Sequence, residues 1–192
     1  MFDNHYPFSY LGKQETVLLE PRAILKYKFK AKYRTYLVRV EEYSFGFYAI
    51  KYCDVKDKNN QTTAYQKIFN DGDFFRILAT CVYIMFKLWE ANPSISFVFY
   101  AVPRNITVAD IANKKLSPQT ETAFLEHYKR TRFNVYEYAM LNLFPPNKFS
   151  HINDYQNCIY ALVNKNAAQL SMIKALGNFL LSSHDILFEP GG

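Results

Sequence analysis

The chain has 192 residues, 49% hydrophobic, 21% charged and 18% aromatic, and its 23 Lys and Arg exceed its 17 Asp and Glu by six. That length and composition suit one domain with a sizeable core and exclude a chain disordered over most of its length. The positive balance favours anionic partners, although plain solubility would be served by it equally.

Residues 1 to 22 read as a lead-in with one short strand at Thr16 to Leu19, ending where Glu20-Pro21-Arg22 interrupts regular structure. From Leu25 to Arg34 the chain alternates: Lys26, Lys28, Lys30, Lys32 and Arg34 on one parity, Leu25, Tyr27, Phe29, Ala31 and Tyr33 on the other. Successive side chains of an extended backbone point to opposite faces, so the pattern predicts a strand with an apolar underside and a positive top. Two more strands follow, Tyr36 to Glu42 and, after a turn at Ser44-Phe45-Gly46, Phe47 to Val55. The three make an antiparallel meander, and the polar tract Asp57 to Gln61 is a loop.

Asn70-Asp71-Gly72-Asp73 signals a helix start: short polar side chains to accept the free N–H groups of the first turn, and carboxylates at the positive end of the dipole. The helix runs from Phe74 to about Glu90, with Phe74, Ile77, Leu78, Cys81, Ile84, Met85 and Leu88 spaced by three and four to form one apolar face. Asn92-Pro93 stops it. Ile95 to Val102 is apolar on both parities, as a central strand is. Ser117-Pro118 starts a long helix towards Leu143, Pro145-Pro146 ends it, Cys158 to Val163 is a further strand, and Ala167 to Leu181 is an amphipathic closing helix.

The expected architecture is α+β: an antiparallel or mixed sheet of about five strands, near 24–33, 36–42, 47–55, 95–102 and 157–163, with helices packed mainly on one face. A single domain over 1–165, with an insertion at about 103–117, precedes a C-terminal helix and flexible tail over 166–192.

The segments FYAIKYCDV, FNDGDFFRILATCVYIMFKLWEANP and KRTRFNVY, with the apolar strand between the last two, resemble an uncharacterised bacterial domain family. Its members place Asn-Gly-Asp before a Leu-Ala-Thr helix, and later an Arg-Thr-Arg with an aromatic pair; the likeness covers roughly Ile24 to Val163. It brings no established activity. The resemblance implies that Asp71, Gly72, Asp73, Leu78, Ala79, Thr80, Arg130, Thr131 and Arg132 stand at the motif positions. Similar proteins carry a Gly-Ser-Thr turn directly before the arginines; here Val102-Pro103-Arg104-Asn105 and a long insertion replace it, so an anion site on that turn is not carried over.

The lysine strand is the strongest chemical signal. Its cations recur about 7 Å apart along one face, a spacing suited to an extended phosphate backbone, while lysines also serve simply to solvate an edge strand. Arg130 and Arg132, beside Lys129, form a second positive cluster; on a helix the two diverge by about 200° and serve one anion only where the helix begins or breaks. The competing role for either is an ion pair with Asp71 or Asp73. Asp71 and Asp73, with Asp54 and Asp57 one strand back, have the chemistry of a divalent-metal site, but the place of Asp71 and Asp73 at a helix start is explained by capping, so no metal is expected. His5, His127, His151 and His184 are scattered, and none is paired by spacing with a nucleophile. The Gly191-Gly192 end lacks the neighbouring elements of a ubiquitin-like modifier and reads as a tail.

Cys53, Cys81 and Cys158 have no metal-ligand or disulfide spacing, which fits a reducing cytoplasm, and the N-terminus lacks the pattern of a secretory signal. No run approaches the roughly 20 apolar residues of a membrane span, and no cofactor motif is present. The functional expectation is a non-enzymatic nucleic-acid-binding or nucleic-acid-complex protein using Lys26, Lys28, Lys30, Lys32, Arg34, Arg130 and Arg132. The alternative is a protein-interaction module, an accessory or neutralising subunit of a toxin–antitoxin or defence system whose basic face meets an acidic protein partner. A metal-independent ribonuclease built on His127 and Arg130 is the second alternative.

Overall fold

The computed structural model describes residues 4–17, 20–59, 72–100, 133–154 and 159–167. Seven strands form one sheet: β1 (Phe8–Glu15), β2 (Ala23–Lys30), β3 (Thr35–Tyr43), β4 (Phe47–Asp54), β5 (Ser96–Tyr100), β6 (Phe149–Asp154) and β7 (Ile159–Asn164). Their spatial order is β1-β2-β3-β4-β5-β7-β6. All neighbours are antiparallel except β4 and β5, which run parallel, as a crossover through the intervening helix α1 (Phe74–Ala91) allows. A second helix, α2, covers 133–143.

The meander and the switch to helical period at α1 agree with the sequence pattern; the strand count does not. β1 and β6 are additional, making seven strands rather than five. β1 is an edge strand whose alternation is broken by a bulge between Tyr10 and Gly12. Of the expected strand at Thr16 to Leu19, Thr16 and Val17 lie outside the sheet, the Thr16 N–H donating to the Arg22 carbonyl at 3.0 Å, and Leu18 and Leu19 lie outside the described residues. β2 ends at Lys30, four residues before the lysine pattern does, because the Ala31 N–H bonds the Arg34 carbonyl at 2.8 Å and turns the chain into β3. The insertion at 103–117, the start of the long helix, the closing helix beyond Ala167 and the Gly-Gly tail lie outside the described residues.

Inner and outer faces follow from the strand period. Tyr27, Phe29, Tyr36, Val38, Val40, Ile50, Phe97, Phe99, Tyr160 and Leu162 point inward to one core cluster. Against it α1 lays Ile77, Leu78, Cys81, Ile84 and Met85, and α2 lays Phe133, Tyr136, Ala139 and Met140. Each such aliphatic side chain removed from water contributes about 1.5–3 kcal/mol, which outweighs the intrinsic propensity of either helix. The opposite face is not bare: Phe47, Ala49, Val98, Ile159, Ala161 and Val163 form a second buried cluster over its centre. Helix packing on one face therefore accounts for only part of the core.

The start of α1 differs from the expected capping. Asp73 occupies the N-cap position but its carboxylate caps no N–H; it accepts the Tyr6 hydroxyl at 3.0 Å instead. The Thr80 hydroxyl, fully buried, donates to the Arg76 carbonyl at 2.8 Å and accepts the Tyr6 N–H at 3.0 Å. The Arg76 guanidinium sits 4.0 Å over the Tyr6 ring. Asp73, Arg76 and Thr80 thus fasten the N-terminal segment to the helix.

Candidate functional site

The outer positions of β1 to β4 carry the charge. Cross-strand pairing puts Lys26, Arg39 and Lys51 in one row, since directly opposed residues share a face. Lys28 stands opposite Leu37 and Lys30 opposite Thr35. Among the outer residues of these four strands, five cations face a single carboxylate, Glu41. Lys28 and Lys30 are exposed and make no ion pair or side-chain hydrogen bond with a described residue. Lys26 is half-buried and donates to Gln14 Oε1 at 2.7 Å.

Glu41 is only 4% exposed and is held by the cations around it. Lys51 Nζ lies 2.9 Å from Oε2, and the Tyr43 hydroxyl donates to the same oxygen at 2.9 Å. Arg39 Nε lies 2.9 Å from Oε1 but off the hydrogen-bond axis, so this contact is ionic rather than directed. Burial, reinforced by the Glu41 charge, raises the Tyr43 hydroxyl far above its ordinary value and keeps it a donor. The buried carboxylate fixes Arg39 and Lys51 in place while leaving the row with excess positive charge. Sequence reading missed Arg39, Glu41 and Lys51, because only the register of β2, β3 and β4 brings them beside Lys26.

Two of the expected cations lie off the strand. Lys32 is exposed in the hairpin turn, with Nζ 4.9 Å over the centroid of the Tyr33 ring. A hydrogen bond to the Tyr33 hydroxyl raises its pKa. Arg34 bends to Asp54, Nη1 lying 3.3 Å from Oδ2, so it is an ion-pair residue and not the fifth cation of a face. Arg130 and Arg132 lie outside the described residues, as do Asp71, His127, His184 and Cys158.

The acidic residues are occupied structurally. Asp54 also accepts the Lys56 N–H at 2.9 Å, capping a short 3₁₀ turn, and Asp73 is bound to Tyr6. No group of three His, Cys, Asp or Glu among the described residues is placed to hold a metal ion. Cys53 and Cys81 are buried free thiols, and burial pushes the Cys81 thiol up to about 12. No described helix is long and apolar enough to cross a membrane.

His151 bridges α2 and the sheet: Nε2 is 3.1 Å from the Phe144 carbonyl and Nδ1 is 2.7 Å from the Tyr160 hydroxyl. A carbonyl only accepts, so Nε2 carries the proton and Nδ1 accepts from Tyr160. Burial, and to a lesser degree the Lys165 charge, lowers its pKa below 6.5. The unfolded chain therefore binds more protons in the window just below 6.5, and stability falls as pH drops through it. Urea midpoints followed from about pH 7 to about pH 5 should decline in the native chain and decline less in His151→Gln. Parallel curves for the two would remove His151 from the acid response.

Comparison with known protein families, curated proteins and solved structures finds no match.

Proposed function

We infer that this chain binds nucleic acid without cutting it, holding phosphates on the outer face of β2, β3 and β4. The observation that supports the reading is the imbalance of that face, five cations to one carboxylate, with Lys28 and Lys30 exposed and unpaired among the described residues. Arg39 and Lys51 extend the positive row beyond the single strand that the sequence pattern marks.

Each phosphate neutralised by a lysine releases condensed counterions, so affinity should fall linearly on a log–log plot against salt. If Lys26, Lys28 and Lys30 each take one phosphate of a single strand, the slope should be about −2, from about −0.7 per contact. Fluorescence anisotropy with a labelled oligonucleotide at increasing salt measures it. No binding at low salt, to single-stranded or duplex probes, would sink the reading and favour an acidic protein as the partner of the face.

A further inference from the structure

At the end of the lysine row the chain turns, and the turn presents an aromatic ring to solvent. Tyr33 is 65% exposed, well beyond what a core-forming tyrosine shows, and follows directly on the exposed Lys32. The Lys32 ammonium lies over its ring at 4.9 Å. Lys28, Lys30 and the turn thus lead along the hairpin from cation to cation to ring.

We propose that the hairpin tip is a subsite for single-stranded nucleic acid, with a base stacked on Tyr33 while Lys28 and Lys30 hold the neighbouring phosphates. This rests on the nucleic-acid reading above and narrows it. Every base has a π-face, so an exposed ring beside a cationic track recognises an unpaired strand whatever its sequence. A duplex keeps those faces stacked internally and shows only base edges in its grooves. Nor can the face enter a groove: β2 and β3 are flanked by β1 and β4, and three strand spacings, about 14 Å, exceed a major groove about 12 Å wide. Lys32 keeps the ring cation-polarised and adds a charge beside the incoming phosphate.

The test compares an oligothymidine single strand with a duplex of the same length by anisotropy. Tyr33→Ala should weaken single-strand binding roughly tenfold, the scale of one lost base stack, and leave duplex binding unchanged. Tyr33→Phe, which keeps the ring and loses the hydroxyl, should bind as the native chain does. In the unmutated protein, a bromouridine-substituted single strand should crosslink under ultraviolet light to the peptide carrying Tyr33. If Tyr33→Ala binds single strands normally, or the crosslink maps elsewhere, the subsite is wrong. If at the same time Lys28→Glu with Lys30→Glu still abolishes binding, the nucleic-acid reading survives that failure; if neither change matters, both fall.

Discussion

Phe29→Ala should lower the stability of the fold by about 3–5 kcal/mol, the range for truncating a fully packed aromatic side chain. Phe29 is 2% exposed on the inner face, near the hairpin end of β2. Its ring stacks on Tyr36 across the hairpin, with centroids 5.3 Å apart, and on Tyr6 from the N-terminal segment at 5.9 Å. Tyr6 is itself tied to Asp73 and Thr80 on α1, so the ring sits where strand, helix and lead-in meet. Tyrosine hydroxyls on both neighbours limit how far they collapse into the space, which places the loss towards the upper end. Urea denaturation measures it. A loss below about 1 kcal/mol would mean that the neighbouring rings close the cavity, contrary to the packing described.

Lys28→Glu combined with Lys30→Glu should weaken oligonucleotide binding on the order of 10³-fold. Each reversal replaces an attraction of about 1 kcal/mol, at contact distance in water, with a repulsion of similar size. Two reversals thus remove about 4 kcal/mol, and tenfold corresponds to about 1.4 kcal/mol. The same pair should leave stability within about 0.5 kcal/mol per site, since both side chains are exposed on the face opposite Phe29. The two experiments separate fold from binding: one acts on the inner parity of β2, the other on its outer parity. A folded double mutant that binds normally would reduce the basic face to solvation.

The periodic elements were legible because burial dictates their pattern. Phe29 against Lys28, or Ile77, Leu78 and Cys81 on α1, could be assigned to core or solvent from spacing alone. β1 was not legible: the bulge at Leu11 shifts parity between Tyr10 and Gly12, and an edge strand has only one partner to satisfy. The hairpin turn was hidden because Ala31 to Arg34 contains no Gly, Pro or Asn and happens to continue the alternation. Its hydrogen bond, Ala31 N–H to Arg34 carbonyl, is backbone chemistry that side-chain identity does not announce. Asp73 looked like a cap, yet its partner is a tyrosine hydroxyl 67 positions earlier in the chain. For the candidate site, the sequence marked the lysines on one strand but not Arg39, Glu41 and Lys51, whose juxtaposition depends on register. Register is set by turns and core packing across strands, and no single segment contains it.

The one parallel pairing among the described strands bears on the order of assembly. Each of β2, β3 and β4 pairs its predecessor in the chain across a short connection, whereas β5 meets β4 only after the whole of α1 has been laid between them. Closure entropy grows with the length of chain that must be brought round, and pairings remote in sequence form late. The β4–β5 junction, with Phe47, Tyr48 and Ala49 in register against Ser96, Phe97 and Val98, and the still more remote pairing of Phe97 on β5 with Leu162 on β7, are therefore the slow contacts of the described sheet. Since the cations all reside on β2, β3 and β4, their surface is in register before the two halves of the sheet have joined.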